Sequence, residues 1–195
     1  MIPCVVRGAL RIKIPRFIVS KFNGLFLIFI LFTLLTVLIL ISPFLVPKDT
    51  LNDLSGRVGF IDNSDQYDDL SIIPRAIYLF GDIECHQIAS RSYFLNENQL
   101  PICSRDVGIL LGISIGASIV AYRRTVIRPF LLILGLIPVG LDGGFQSLTA
   151  YESTNTVRLI TGAIAGVTIS LLFSWVYHEV NRVENGVRYP EKTEK

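Results

Sequence analysis

The sequence predicts an all-α membrane protein, a four-helix transmembrane bundle with an external amphipathic segment. Three observations predict it: the chain is poor in charge, its apolar residues occur in long runs, and its basic and acidic residues fall into alternating segments. Of its 195 residues, 51% are hydrophobic and only 17% are charged, with a mean hydropathy of +0.54, whereas soluble domains carry about 25% charged residues. This composition excludes a disordered chain, a basic nucleic-acid-binding domain and a disulfide-rich miniprotein, and the net charge of +2 indicates no polyanionic partner.

Four apolar stretches supply the predicted transmembrane helices. The first covers residues 24–46, contains no charged residue and exceeds the roughly 20 residues that a spanning helix needs. It is too long for the apolar region of a cleaved signal peptide, about 7–15 residues, so we interpret it as an uncleaved anchor. The other three cover residues 107–122, 129–145 and 157–177. The middle two are short, and a re-entrant or interfacial segment is the alternative for 129–145.

Small residues recur every four positions in the second and fourth stretches. This spacing puts them on one face of a helix, where they allow two helix backbones to approach closely. We therefore expect a compact bundle, and the same Gly-xxx-Gly faces could also serve an oligomer. The residues are Gly108, Gly112, Gly116, Gly162, Gly166, Ser170 and Ser174.

The distribution of charge predicts the orientation of the chain. Basic residues are concentrated in segments 1–23, 123–128 and 178–195, whereas the loops 47–106 and 146–156 hold most of the acids. Because positive residues stay on the cytoplasmic side, we expect a multi-pass protein of the cell membrane with both termini in the cytoplasm. The loop 47–106 is then extracytoplasmic.

The long external loop divides into two parts. Residues 48–70 are rich in Asp, Asn, Ser and Gly and are expected to be exposed. An amphipathic helix is predicted over about 72–92, because Pro74 suits a first turn and apolar residues follow it. We expect this helix to lie against the membrane surface or the bundle. Its apolar face would consist of Ile73, Ile77, Tyr78 and Phe80.

Polar residues cluster in four short patches at the predicted external membrane boundary. The patches are Asp82–Gln87, Arg91–Ser92, Cys103–Asp106 and Asp142–Arg158. Their motifs, among them Cys-His-Gln, Leu-Pro-Ile-Cys-Ser-Arg-Asp-Val-Gly, Leu-Asp-Gly-Gly-Phe-Gln and Glu-Ser-Thr-Asn, resemble an uncharacterised family of small bacterial and archaeal multi-span membrane proteins, catalogued as a domain of unknown function. The resemblance covers about residues 72–170 and implies a shared site without an established activity.

Cys85, His86 and Cys103 are the candidate metal ligands. Thiolates and imidazole suit zinc or a similar divalent metal, with Asp82, Asp106 or water as a further ligand. A Cys85–Cys103 disulfide is the alternative, since both cysteines are expected on the oxidising side and the third cysteine of the chain on the other. Free, redox-active thiols are the third possibility, and they would make the chain a membrane thiol–disulfide protein.

Asp142 lies late in an apolar stretch, where an ionisable residue is costly unless paired and marks a site by default. Gln146 comes four residues later, hence on the same helix face. Arg158 is the expected partner of Asp142, and Arg105 is the other candidate. A packing ion pair without chemistry is the alternative interpretation.

Three arginines lie on the acidic side of the chain, against the local charge trend. Arginine suits bidentate recognition of phosphate, so a lipid-borne phosphate at the outer leaflet is the candidate substrate; neutralisation of nearby acids is the alternative. The candidate substrate-binding residues are Arg91, Arg105, Arg158 and Gln146. The candidate acid/base residues of such a hydrolase or transferase are His86, Asp142 and Glu152.

Motifs of several well-known enzyme classes are absent from the sequence. It contains no P-loop, no HExxH and no dinucleotide fingerprint. Three functions stay open. The first is a membrane protein of unknown activity with a polar site at the external membrane face, whose sharpest version acts on a lipid-linked phosphate. The second is a thiol–disulfide protein, and the third is a non-catalytic scaffold or transporter component.

Overall fold

The computed structural model describes residues 24–123 and 129–184, in which most of the chain is helical. Its helices are α1 (Gly24–Ile41), α2 (Ile72–Glu84), α3 (Ser104–Arg123), α4 (Pro129–Leu148) and α5 (Asn155–Glu184). Two short strands, β1 (Phe94–Leu95) and β2 (Asn98–Gln99), pair antiparallel, and 3-10 turns cover Ser42–Leu45, Ser64–Tyr67 and Ala89–Arg91. The predicted basic segment 1–23, the link 124–128 and the tail after residue 184 lie outside the described residues.

All four predicted apolar stretches fall on helices, namely α1, α3, α4 and α5. By length and composition, two segments could cross a membrane: Phe26–Leu45, with a mean hydropathy of 2.8, and Asn155–Tyr177, with 1.9. A third apolar segment, Leu132–Leu148 in α4, is shorter. The described residues thus form a helical protein with two candidate membrane spans.

The helices α3 and α5 pack closely through their small residues. A Cβ atom on Gly112 would lie 2.2 Å from the carbonyl oxygen of Ala163, and one on Gly166 would lie 2.1 Å from the carbonyl oxygen of Ile109. Side chains larger than hydrogen do not fit at these positions, so the two stripes bring the backbones together as their spacing predicts. The faces that could have served an oligomer therefore cover each other within the chain.

The other two long helices pack on this pair. The helix α4 contacts α5 where Gly135 faces Thr168, and α1 contacts α3. Large apolar side chains point outwards from both: Leu27 of α1 is 66% exposed and Phe130 of α4 is 67% exposed. Apolar outer faces of this kind match the hydrocarbon of a bilayer.

Residues 42–103 fold into a compact unit, here called the cap, above one end of the long helices. Leu51, Leu54, Tyr67 and Tyr78 are fully buried in it. The prediction that residues 48–70 form an exposed loop is therefore wrong for its buried members. Buried amide side chains hold this segment in place: Asn98 Oδ1 accepts hydrogen bonds from the Leu51 and Thr50 backbone amides, at 3.0 Å each.

The helix α2 is shorter than the predicted 72–92. It begins with Pro74 in its first turn, as expected, but ends at Glu84 because Cys85 is extended (φ −140°, ψ 151°) and Gln87 has a left-handed φ of 49°. Its buried face contains Ile77 and Tyr78, and Phe80 is half-buried. Ile73 was predicted on this face and is 52% exposed instead.

Candidate functional site

A cavity of about 150 Å³ opens where the cap meets the starts of α3 and α5 and the end of α4. Seven of its eight lining residues are candidates from the sequence, and the eighth is an isoleucine. The lining residues are Cys85, His86, Ile88, Arg91, Cys103, Arg105, Gln146 and Arg158. The four polar patches therefore converge, and Asp142 and Glu152 lie beside the cavity as partners of its arginines.

Arg105 in the first turn of α3 pairs with Asp142 near the end of α4. Arg105 Nη2 donates to Asp142 Oδ2 at 2.5 Å, and the Asp142 side chain is only 5% exposed. Ser153 Oγ lies 3.4 Å from the same carboxylate oxygen. The expectation that Arg158 is the partner of Asp142 is wrong, because the geometry gives that place to Arg105.

Arg91 and Arg158 share one carboxylate, that of Glu152. Arg91 Nε lies 3.0 Å from Glu152 Oε1, and Arg158 Nη2 lies 3.5 Å from the same atom. Arg158 Nη1 also donates to Asn155 Oδ1 at 3.3 Å. The hydrogen bond from Arg91 lowers the pKa of the Glu152 carboxyl below its ordinary value, so this group stays ionised at neutral pH.

The Gln146 amide lies among the three arginines and joins two of them, Arg91 and Arg158. In the orientation of the amide that gives both its oxygen and its nitrogen suitable partners, the oxygen accepts hydrogen bonds from Arg91 Nη2 and Arg158 Nη2, each at 3.0 Å. Arg105 Nη2 lies 3.4 Å from the other terminal atom of the same amide. Three guanidinium groups therefore surround one neutral side chain at the cavity wall.

The arginines are incompletely neutralised by their neighbours. Three guanidinium charges face two carboxylates, and one of these carboxylates is shared. The Arg158 side chain is only 3% exposed, although its contact with Glu152 is long. Arg105 Nε and Asp142 Oδ1 are buried without a hydrogen-bond partner in the described part of the chain. Buried polar atoms of this kind usually contact a ligand, an ion or water.

The thiols of Cys85 and Cys103 lie close together, line the same cavity and are both free. The backbone amide of Cys103 donates to Cys85 Sγ at 3.2 Å, and Cys103 Sγ lies 3.1 Å from Asp106 Oδ2. The hydrogen bond between the two thiols raises the pKa of Cys85 and lowers the pKa of Cys103. Cys103 is therefore the thiol that ionises first.

The sequence-predicted metal ligands are only partly brought together. Cys85, Cys103 and Asp106 each offer a ligand atom within 4.8 Å of the others. His86 is exposed and lines the same cavity, but it is not a member of this group. Asp82, a candidate further ligand, instead lies in the cap, where it is fully buried and accepts a hydrogen bond from the Asn63 backbone amide at 2.9 Å.

Gln87 was singled out by the Cys-His-Gln motif but has a structural role that the sequence did not reveal. It is fully buried, its Nε2 donates to the Pro101 carbonyl at 2.8 Å, and its Oε1 accepts from Tyr67 Oη at 3.2 Å. It thereby holds the strand-turn segment before Cys103 against α2. Its burial has no periodic sequence signal, because the partners are scattered through the cap.

Comparisons with known proteins place these residues in one family. The family model described as "Predicted membrane protein (DUF2085)" matches residues 85–172. An uncharacterized protein of Methanocaldococcus jannaschii is 31% identical over 109 residues, which cover 53% of this chain and 70% of that protein. The chain belongs to the DUF2085 family. An uncharacterized protein of Methanothermobacter thermautotrophicus is likewise 31% identical over 97 residues, which cover 48% of this chain and 87% of that protein.

The DUF2085 match confirms the resemblance expected from the polar motifs. All eight residues that line the cavity fall within the matched range, which begins at Cys85. The helix α1 and the part of the cap before Cys85, which includes α2, precede it. No solved structure matches the chain.

Proposed function

We propose that this protein crosses the membrane four times and binds a lipid-linked phosphate in the arginine-lined cavity. The observation that carries the proposal is the convergence of Arg91, Arg105 and Arg158 on one cavity of about 150 Å³. Guanidinium groups bind phosphate oxygens in a bidentate manner, and a partly desolvated site strengthens each contact. On the arginine side of the cavity three guanidinium charges face two carboxylates, and an anionic ligand would balance the difference.

The proposed topology has α1, α3, α4 and α5 as spans, with both termini in the cytoplasm and the cap outside. The acidic composition of the cap and the basic composition of the segments at the opposite ends of the helices support it. Reporter fusions test it. A fluorescent protein fused after Lys195 should fold and fluoresce, and an alkaline phosphatase fused within the cap should be active; the reverse pattern would invert the topology.

A lipid-borne phosphate is favoured over a soluble one by the surroundings of the cavity. Next to Gln146 on α4, Phe145 is 58% exposed, and Leu148 at the end of this helix is 87% exposed. Exposed large apolar side chains at a helix end match the acyl region of a bilayer, so the arginines would lie at the depth of the headgroups. His86, an exposed imidazole on the cavity wall, is the proposed acid/base group.

Calorimetric titration of the purified protein in detergent tests the proposal. The probes are dihexanoyl phosphatidic acid and inorganic phosphate. We expect saturable binding of the lipid, weakened at least about tenfold in Arg91→Gln and Arg158→Gln, because a hydrogen bond to a charged group contributes about 1.5–3 kcal/mol. The control is Arg57→Gln, an exposed arginine that is paired with Asp62 and does not line the cavity.

Each outcome of the titration bears on a separate part of the proposal. Equal affinities for the lipid and for inorganic phosphate would remove the lipid but keep the phosphate site. Unchanged binding in both cavity variants would overturn the site itself. Because Arg91 is 38% exposed, its substitution is tolerated more easily than that of the buried Arg158, and the two variants separate loss of binding from loss of folding.

Thiol–disulfide exchange is the second candidate function. The proximity of two free thiols and the lowered pKa of Cys103 favour it, because a thiolate is the attacking species in exchange. It requires that the oxidised chain transfers its disulfide to a dithiol substrate. A chain whose two thiols stay reduced in air would rule this function out.

A further inference from the structure

Cys85 and Cys103, which line the same cavity as the arginines, belong to a second set of converging side chains. Cys85 Sγ, Cys103 Sγ and a carboxylate oxygen of Asp106 all lie within 4.8 Å of one another. We propose that these three residues bind a zinc-like divalent cation whose fourth coordination position opens to the cavity. This proposal is independent of phosphate binding. A chain that binds the metal but no phosphate would support the metal site and contradict the proposed phosphate site.

The donor set and its spacing suit such an ion. Two thiolates and a carboxylate are ligands that zinc accepts, at distances of about 2.3 Å for sulfur and 2.0–2.2 Å for oxygen. Ligand atoms around a tetrahedral ion with these bond lengths lie roughly 3.3–3.8 Å apart. Cys103 Sγ and Asp106 Oδ2 are 3.1 Å apart, and the other separations, at no more than 4.8 Å, exceed the tetrahedral range by about 1 Å at most.

The backbone already holds the three ligands in place. Cys85 directly follows α2, and its amide is bonded to the Gly81 carbonyl at 2.9 Å. Cys103 precedes α3, and its carbonyl accepts a hydrogen bond from the Val107 amide at 3.1 Å. Asp106 lies in the first turn of the same helix, with Oδ2 3.1 Å from the Cys103 sulfur. Two of the ligands are thus fixed by one helix start and the third by the end of α2.

The surroundings of the two thiols include a backbone hydrogen-bond donor and a carboxylate. The Cys103 amide donates to Cys85 Sγ at 3.2 Å, and N–H···S hydrogen bonds of this kind support metal-bound thiolates. The Asp106 carboxylate has no salt bridge within the described ranges, although it lies against a sulfur atom. A divalent cation would supply the missing positive charge, which a disulfide would not.

Three protein ligands are characteristic of reactive rather than structural zinc sites, which close with four. Here the same cavity that Cys85 and Cys103 line also holds the exposed His86 and the three arginines. The open position of the ion would therefore face the anion-binding groups. Water or a phosphate oxygen could complete the coordination.

Metal analysis of the full chain tests the site. The protein is purified in detergent with reductant and zinc, desalted, and analysed by mass spectrometry for metal content; a second sample is titrated with Co²⁺. We expect about one ion per chain and, with Co²⁺, a tetrahedral spectrum with a thiolate charge-transfer band. Cys85→Ser and Cys103→Ser should lose the band, whereas Cys4→Ser, the matched control in the remaining cysteine, should keep it.

Asp106→Asn provides a variant that preserves the shape of the site. It should keep the charge-transfer band but bind Co²⁺ at least about tenfold more weakly, because a neutral amide replaces a carboxylate ligand. A reduced wild-type chain that shows no charge-transfer band, or a band that persists in both cysteine variants, would overturn the proposal. Phosphatidic acid binding by a metal-free chain leaves phosphate recognition standing and identifies the metal as a separate property.

Discussion

Arg105 and Asp142 form a buried ion pair that joins the first turn of α3 to the end of α4, with Nη2 and Oδ2 2.5 Å apart. The pair fixes one of the three guanidinium groups that line the cavity. Since Arg105 Nε and Asp142 Oδ1 are buried without partners among the described residues, the pair has capacity for one more polar ligand.

Replacement of Asp142 by Asn should destabilise the protein markedly. It leaves the Arg105 guanidinium without its counter-charge in a mostly buried position, at a cost of about 2–4 kcal/mol, below the full value for a buried pair because the Arg105 side chain is 25% exposed. Thermal unfolding in detergent measures it. Asp62→Asn, which breaks the more exposed pair with Arg57, should cost much less stability. Equal losses of stability in the two variants would show that the buried pair stabilises the protein no more than the exposed pair does.

Substitution of Gly112 by Ala should separate α3 from α5. The added methyl group would lie 2.2 Å from the Ala163 carbonyl oxygen, so the helices must move apart, at a cost of about 1–3 kcal/mol. Gly140 in α4 is the matched control, because a Cβ atom there meets nothing within 4 Å. Gly140→Ala should leave the unfolding temperature unchanged or raise it, and a comparable loss in both variants would contradict the packing described for α3 and α5.

Gln87→Ala should loosen the cap without affecting the helices directly. Removal of the amide leaves the Pro101 carbonyl and the Tyr67 hydroxyl without this partner in a buried site, which costs about 1–3 kcal/mol. Limited proteolysis should cut the cap of the variant sooner than that of the wild type. The exposed Gln66 provides the control, and Gln66→Ala should be cut at the wild-type rate.

Glu152→Gln should tighten the binding of dihexanoyl phosphatidic acid severalfold. Glu152 is the carboxylate that Arg91 and Arg158 share, so an incoming phosphate competes with it. Because the contact with Arg91 lowers the pKa of Glu152 below its ordinary 4.5, the wild-type carboxylate stays charged as the pH falls to 5. The difference between variant and wild type should therefore persist from pH 7 to pH 5. Weaker binding by the variant would assign Glu152 a direct role in holding the ligand.

The long helices could be predicted from the sequence, whereas the cap could not. Uninterrupted apolar length and a four-residue spacing of glycines are local signals, and they place α1, α3, α4 and α5 correctly. The core of the cap is held by buried amides such as Asn98, whose backbone partners lie 47 and 48 residues away. Contacts between residues so far apart in the sequence leave no periodic pattern, so the sequence predicts an exposed loop for residues 48–70.

The members of the site were predictable, but their pairing was not. The polar patches adjoin the ends of helices that meet at one level, which is enough to bring Arg91, Arg105 and Arg158 together. Which arginine pairs with Asp142 depends on the rotation of each helix about its own axis. The sequence carries no signal for that rotation, and for the same reason Asp106 rather than His86 completes the thiol group.

The central claim is that three arginines bind one phosphate group in the cavity between the cap and the long helices. Its most direct test is an experimental structure of the full chain with saturating dihexanoyl phosphatidic acid. The account predicts a phosphate within hydrogen-bonding distance of the guanidinium groups of Arg91, Arg105 and Arg158, with the acyl chains leaving past Phe145 and Leu148. A lipid phosphate bound elsewhere, with the Arg91–Glu152 and Arg158–Glu152 contacts intact and the cavity holding only water, would contradict it.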